Sequence, residues 1–192
     1  MLAALLFTAA CAWLAAALFT PRGAAGPEAA AETSAPTWSL RGIVLRRELA
    51  LEAGEIPDGA EDGKRLSAAE TGREPGVYLA DADGLEALTP DDALPLSPAR
   101  LDALLAAAPE RAGAGRLLTA RDCCCAALCD SGAPLPEPGT ACRLLFEGVG
   151  GEYAAAVLAV SEEDGRRAVL LRIPDGAQPL ARLRFVRAEL IG

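Results

Sequence analysis

The side chains with the most distinctive chemistry are cysteines, and five of the six in the chain fall in its second half. Thiolates are good ligands for soft metals, although the common zinc sites use paired cysteines at a regular spacing that is absent here. On a strand, Cys123, Cys125 and Cys129 would face one side and Cys124 the other. The favoured interpretation is apolar core packing. A disulfide is one alternative, and a thiol metal site at Cys123, Cys125, Cys129 and Cys142 is the other. Because core packing is favoured over both, no metal or cofactor is predicted.

Other catalytic groups are scarce. The chain contains no histidine, which removes the most common general base and every Ser-His or Cys-His nucleophile pair. Ser67 and Thr119 have no evident base partner. Acidic pairs could bind calcium, but they match no EF-hand spacing and are predicted to be solvated turns. These pairs are Asp81 with Asp83, Asp91 with Asp92, and Glu162 and Glu163 with Asp164. The sequence therefore predicts a protein that is not an enzyme.

The charge distribution bears on the partners. The formal net charge is −9, and the basic residues form no stripe along the chain. Nucleic-acid binding depends on clustered Lys and Arg side chains that neutralise phosphates. We therefore predict no nucleic-acid partner.

Residues 1–20 carry no charged side chain, and about 20 apolar residues suffice to span a bilayer as a helix. We predict a transmembrane anchor in contact with membrane lipid. A cleaved signal peptide is the alternative, although the basic segment that normally opens one is missing. The positive-inside rule, with Arg22 and Arg41 after the segment, mildly favours placing the rest of the chain in the cytoplasm. Residues 21–37 are rich in Ala, Gly and Pro without apolar periodicity, and they predict a disordered tether.

The elements that must position these residues are mostly strands. Short β-branched segments at 39–48 and 76–80 are typical of strands. One convincing helix begins after Ser97, which can act as N-cap before Pro98 at the first helical position. Beyond Gly115, several short strands alternate with Gly- and Asp-rich turns, which favours a small antiparallel barrel or sandwich. The predicted strands there are 116–120, 123–129, 142–147, 153–160, 168–173 and 183–191.

Three stretches, taken in order, resemble the membrane fusion, or periplasmic adaptor, family of the haemolysin-secretion D type in its Gram-positive form. The first is Arg41–Glu48, directly after the tether. The second runs from Gly76 through Asp83-Gly84-Leu85-Glu86 and Leu88-Thr89-Pro90 to the Ser97 helix. The third starts at Gly115-Arg116-Leu117-Leu118-Thr119 and ends at Leu183–Ile191. The match consists of hydrophobic and turn patterns.

The resemblance implies a mainly β fold: a small antiparallel β-barrel, remnant lipoyl-like strands, one or two short helices and an N-terminal transmembrane helix. The implied domains are the anchor (1–20), the tether (21–37), a remnant lipoyl-like region with a short helix (38–110) and the barrel (111–192). One departure stands out. Only a short segment separates residues 62–66 from Gly76, where the family has a long α-helical hairpin.

The function implied is that of a non-enzymatic adaptor or accessory protein of an export or efflux system. It would be a single-pass protein of the cell membrane with its domain outside the cytoplasm, and its partner would be an inner-membrane transporter or another envelope protein. Because the hairpin is missing, a stand-alone cell-envelope or developmental protein that kept the barrel without transport is an alternative. The cysteines leave a thiol-based metal or redox protein as a second alternative.

Overall fold

The computed structural model describes residues 35–93, 97–107, 113–130, 132 and 134–192. The predicted anchor and residues 21–34 of the predicted tether lie outside the described residues. The described part of the chain is mainly β, with ten strands and two short helices. None of its helices has the length and apolar character needed to cross a bilayer. The strands are β1 (Thr37–Leu45), β2 (Glu48–Leu51), β3 (Arg65–Leu66), β4 (Gly76–Leu79), β5 (Gly115–Leu118), β6 (Cys123–Cys129), β7 (Ala141–Phe146), β8 (Glu152–Glu163), β9 (Arg166–Ile173) and β10 (Phe185–Ile191).

Six strands close into an antiparallel barrel in the spatial order β1-β10-β7-β8-β9-β6. Closure depends on β1, which pairs with β10 on one side and β6 on the other. Strand β10 shows why these segments form the wall, since its buried and exposed residues alternate as a half-buried strand requires. Val186, Ala188 and Leu190 therefore face the barrel core. The prediction of a small antiparallel barrel is confirmed.

The second helix covers part of the barrel wall. Helix α1 (Ala68–Thr71) is a single turn between β3 and β4, whereas α2 (Pro98–Ala106) lies against the outside of β6. Ser97 caps α2 by accepting a hydrogen bond from the Arg100 amide at 3.3 Å, and Pro98 opens its first turn. Leu101 is buried against the outward side chains of β6. Strand β6 is buried on both faces for this reason.

The remaining strands form a small antiparallel sheet in the order β2-β5-β4-β3. One face of this small sheet packs on the barrel core through Val77, Leu79 and Leu118. Its other face buries a separate apolar cluster that includes Tyr78 and Leu117.

Each of the two sheets contains strands from both sides of the predicted domain boundary at residue 111. Strand β1, from the region predicted to be lipoyl-like, is one of the six barrel strands, and β5 pairs with β2 and β4 instead of joining the barrel. The chain thus passes from barrel to small sheet and back. The Gly192 amide donates to the Pro36 carbonyl at 3.1 Å, which places both residues at one end of β1. The small sheet follows the other end of the same strand.

Candidate functional site: a buried ionic cluster

Three buried arginines and a buried glutamate lie where the small sheet meets the barrel. Arg46 follows β1, and Arg184 directly precedes β10. Glu48 starts β2 and Arg116 lies on β5, and strand alternation places both on the face that carries Leu118 toward the barrel. With Asp83 from the loop after β4, these residues form what we call the ionic cluster.

Glu48 is the centre of the ionic cluster, and its side chain is completely inaccessible to solvent. Its Oε1 accepts a hydrogen bond from Nε of Arg46 at 2.6 Å. Its Oε2 accepts from Nη2 of Arg184 and lies 3.5 Å from Nη1 of Arg116. A single carboxylate is therefore shared among three guanidinium groups.

Asp83 provides the second carboxylate. Its Oδ2 accepts from Nε of Arg184 at 2.8 Å and from Nη1 of Arg116. The loop is held in place by Glu86, whose Oε1 accepts from the amides of Asp83 at 2.6 Å and Gly84 at 3.3 Å. Leu85 donates its own amide to Oδ1 of Asp83 at 3.0 Å. This loop geometry aims Asp83 at the two arginines.

The arginines also bind main-chain carbonyls of the barrel. Arg46 Nη1 donates to the carbonyls of Leu180 at 2.5 Å and Leu183 at 2.7 Å, both in the connection between β9 and β10. Arg116 Nη2 donates to the Ala181 carbonyl at 3.0 Å. The same connection is thus held by one arginine from the end of β1 and another from the small sheet.

The pKa values follow from this packing. Burial is the largest influence on Arg46 and lowers its pKa despite the neighbouring Glu48. Burial also disfavours the charged form of Arg184, but Asp83 and Glu48 more than offset this, so its pKa is raised. For Asp83, burial works against ionisation, yet the hydrogen bond and charge of Arg184, followed by the charge of Arg116, hold its pKa below the ordinary value. Arg184 and Asp83 are therefore both ionised at neutral pH.

The carboxylates of Glu48, Asp83 and Glu86 lie within 4.8 Å of one another, close enough to consider a cation site. The oxygens that face the group already accept hydrogen bonds from guanidinium or backbone N–H groups. Three adjacent guanidinium charges would also repel a metal ion. The donor set does not fit a metal, and the ionic cluster is best understood as a structural device.

The structure places the predicted thiol cluster inside the barrel wall. Cys123, Cys125, Cys129 and Cys142 belong to the barrel core, whereas Cys124 faces the layer beneath α2, as the strand alternation predicted. Their thiol sulfurs do not form a group of three or more potential ligands within the described ranges. Burial raises the pKa of Cys123 to about 12 and that of Cys124 to about 11, and it raises the pKa of Cys125 still further. These thiols are poor nucleophiles because the thiolate is the reactive form.

We predict that Cys123, Cys124 and Cys125 in the folded protein resist alkylation by iodoacetamide at pH 8, at rates at least about tenfold below those of the unfolded chain, because each is buried and its pKa is raised. Mass spectrometry of tryptic peptides, with and without guanidinium chloride, measures the two rates. Fast labelling of Cys125 in native buffer would contradict the burial of β6.

The predicted acidic pairs differ in their exposure to solvent and in their partners. Asp91 and Asp92 are exposed, Asp91 paired with Arg47 and Asp92 accepting from Thr89, as expected for solvated turns. Asp83, in contrast, enters the buried ionic cluster, so the solvated-turn interpretation is wrong for this residue. Sequence reasoning missed its partners because the arginines sit within segments that were considered only as strands. A charged residue inside an apolar run, such as Arg116 in Gly-Arg-Leu-Leu, was the available signal.

No family model, curated protein or solved structure matches this chain. The interpretation of its function therefore depends on its own geometry and residue patterns.

We expect the Asp83→Asn variant to be less stable than the parent at pH 7 by about 1–3 kcal/mol, because a charged hydrogen-bond partner of two buried arginines is lost. The folded-state pKa of Asp83 is lowered from 3.8, so its contribution is complete above the unfolded pKa and disappears as the pH falls through the folded pKa. The difference between parent and variant should therefore narrow below about pH 4.

Urea unfolding at pH 7, 5 and 3 measures this difference. Other carboxyls with lowered pKa values, such as Asp62 and Asp102, are present in both proteins and cancel in the comparison. A stability difference that stays constant from pH 7 to pH 3 would show that folding does not lower the pKa of Asp83.

Proposed function

We propose that this protein is a non-enzymatic, membrane-anchored adaptor or accessory protein of an export or efflux system, with its barrel outside the cytoplasm. The observation that carries the proposal is the arrangement along β1. Strand β1 begins at Thr37, the last residue of the predicted tether, and the small sheet follows the other end of this strand. The chain thus runs along the barrel wall through β1 before it reaches the small sheet.

The small sheet supports the adaptor interpretation through its connectivity. Strands β3 and β4 lie on either side of α1, where the resemblance implies the two halves of a lipoyl-like region, and β2 and β5 complete the sheet. We interpret the small sheet as the remnant of that region. The ionic cluster fixes the small sheet on the barrel, so that the two sheets can present one continuous surface to a partner.

The chemistry of the described residues supports a non-enzymatic function. The buried charged groups of the ionic cluster are engaged with one another or with main-chain carbonyls. Buried thiols with raised pKa values lack the thiolate needed for covalent or redox chemistry at neutral pH. Binding, rather than catalysis, is the activity that this arrangement favours.

Phe185 is a suitable position from which to seek the partner. It is 40% exposed on the outer wall of the barrel, beside a groove of about 400 Å³ lined by Leu105, Leu183 and Arg187. A photo-crosslinking amino acid at position 185 of the full-length chain, expressed in its own host membranes, should capture a transporter or another envelope protein. The same group at Glu61, an exposed residue of a turn in the small-sheet region, is the matched control. Crosslinking that yields only the monomer at both positions would refute the proposal.

The anchor is tested separately by fractionation. The full-length chain should sediment with membranes and resist extraction by high salt, whereas a chain that begins at residue 35 should be released. Recovery of the full-length protein in the soluble fraction would refute membrane anchoring.

One observation favours a second candidate, a stand-alone envelope or developmental protein. The connection between β3 and β4 contains only the single-turn helix α1, where the adaptor family has the hairpin that reaches toward a partner channel. A gene neighbourhood with a transporter supports the first proposal, and a cell-division or sporulation cluster supports the second. The thiol-based metal or redox alternative has no comparable support among the described residues, and metal analysis of purified protein tests it.

A further inference from the structure

Strands β1 and β10 pair along one line of the barrel wall, which we call the β1–β10 seam. One residue closes the end of this seam through both its main chain and its side chain. The strand register runs from Thr37 opposite Ile191 to Ile43 opposite Phe185. One step further, the Val44 amide donates to the Arg184 carbonyl at 2.8 Å. The Arg184 side chain then returns the contact, because its Nη1 donates to the Val44 carbonyl at 3.0 Å. Arg184 therefore closes the seam with both its main chain and its side chain.

The small sheet controls the position of that side chain. Arg184 Nη2 donates to Glu48 on β2, and its Nε donates to Asp83 at 2.8 Å. On the opposite side of the seam, Arg46 directly follows β1, and its Nε donates to Glu48 at 2.6 Å. The ends of both seam strands are consequently joined through one carboxylate that belongs to the small sheet.

On the other side of β1, no ion pair of the ionic cluster reaches β6 within the described part of the chain. Strand β1 pairs with β6 through Val44 opposite Cys125 and Leu45 opposite Cys124, by ordinary strand register. Between β8 and β9 the ladder extends to Glu163 opposite Arg166 at the far end of the barrel. Among the described residues, the ionic cluster therefore meets the ends of β1 and β10 and the connection that precedes β10.

We propose that Glu48 couples the small sheet to the β1–β10 seam of the barrel, so that release of the small sheet opens the seam and a partner that holds the small sheet tightens it. Three buried guanidinium groups cannot stay desolvated without their shared carboxylate. Once Glu48 moves away, Arg184 and Arg46 turn toward water and abandon the carbonyls of Val44 and Leu183. The end of the seam then loses its closing contacts.

Native-state amide hydrogen exchange tests this coupling in the full-length chain, using the Glu48→Gln variant. We expect the Val44 amide to exchange at least about tenfold faster than in the parent. Amides of the β8–β9 ladder should change by a smaller factor. Glu189→Gln, an exposed change on β10, is the matched control and should leave both regions as they are. Equal acceleration of the two regions, or no acceleration at Val44, would overturn the proposal.

If the Glu48→Gln variant does not fold, a second measurement on the parent protein tests the coupling. Exchange of the parent protein in a series of low urea concentrations separates subglobal openings from global unfolding. The Val44 amide and the amides of β5 should converge on one opening reaction of lower free energy than global unfolding. If β5 opens separately while Val44 follows global unfolding, the small sheet and the seam are not coupled.

Discussion

Replacing Glu48 with glutamine is expected to lower the free energy of unfolding by about 3–5 kcal/mol, since removing one partner of a buried ion pair leaves an uncompensated buried charge. The expected loss lies at the upper end of this range because Glu48 serves three arginines at once. A glutamine amide can still accept one hydrogen bond but cannot neutralise a guanidinium group.

Guanidinium unfolding at pH 7, followed by far-ultraviolet circular dichroism, measures this effect. The exposed Glu189→Gln change on β10 keeps the same loss of charge in a solvated position and should cost less than about 0.5 kcal/mol. A Glu48→Gln variant that loses less than about 1 kcal/mol would mean that solvent reaches the arginines.

The second large effect is expected at Gly42, which lies on β1 opposite Ala127 of β6. A Cβ atom built on this residue would lie 2.5 Å from the Ala126 carbonyl oxygen and 2.7 Å from the Ala127 Cβ. The first of these atoms is backbone, so no side-chain rotation can relieve the clash. Overpacking of this kind costs about 1–3 kcal/mol, and we expect Gly42→Ala to reach the top of that range because the β1–β6 ladder must separate.

The matched control is Gly150→Ala in the turn between β7 and β8, where an added Cβ would meet nothing within 4 Å. Its stability should stay within about 0.5 kcal/mol of the parent. Thermal or denaturant unfolding of the two variants gives the comparison directly. Equal stability of Gly42→Ala and Gly150→Ala would contradict the close approach of β1 and β6.

Local patterns allowed several elements to be predicted. Strand β6 was expected at 123–129 and has those bounds, and the helix after Ser97 forms with the predicted cap. In each case the deciding information lies within a few residues of the element: side-chain alternation in β6, and a capping residue followed by proline in α2.

The start of the last strand differs from the one predicted from local sequence patterns. A strand was predicted from Leu183, but β10 begins at Phe185. Leu183 instead gives its carbonyl to Arg46, and Arg184 is drawn into the ionic cluster. The core-facing positions of β10 are Val186, Ala188 and Leu190, and the same alternation puts a charged residue, Arg184, at the next inward position. That break in the pattern marks this end of the strand, but it does not identify the partners of Arg184.

The assignment of strands to sheets was equally beyond local pattern. Both β1 and β5 are ordinary apolar segments, yet β1 enters the barrel and β5 enters the small sheet. The choice depends on which strand edges remain unpaired once the chain has folded back on itself. Such pairings join segments that are distant in sequence.

The sequence by itself determined a mainly β chain, the helix after Ser97, the two faces of the cysteine strand and the absence of histidine chemistry. Only the tertiary structure decided that Arg46, Arg116 and Arg184 surround Glu48. Arg184 and Glu48 are 136 positions apart, and no local pattern around either residue names the other as its partner. A buried charge requires a partner, but closure of the barrel against the small sheet selects which residue provides it.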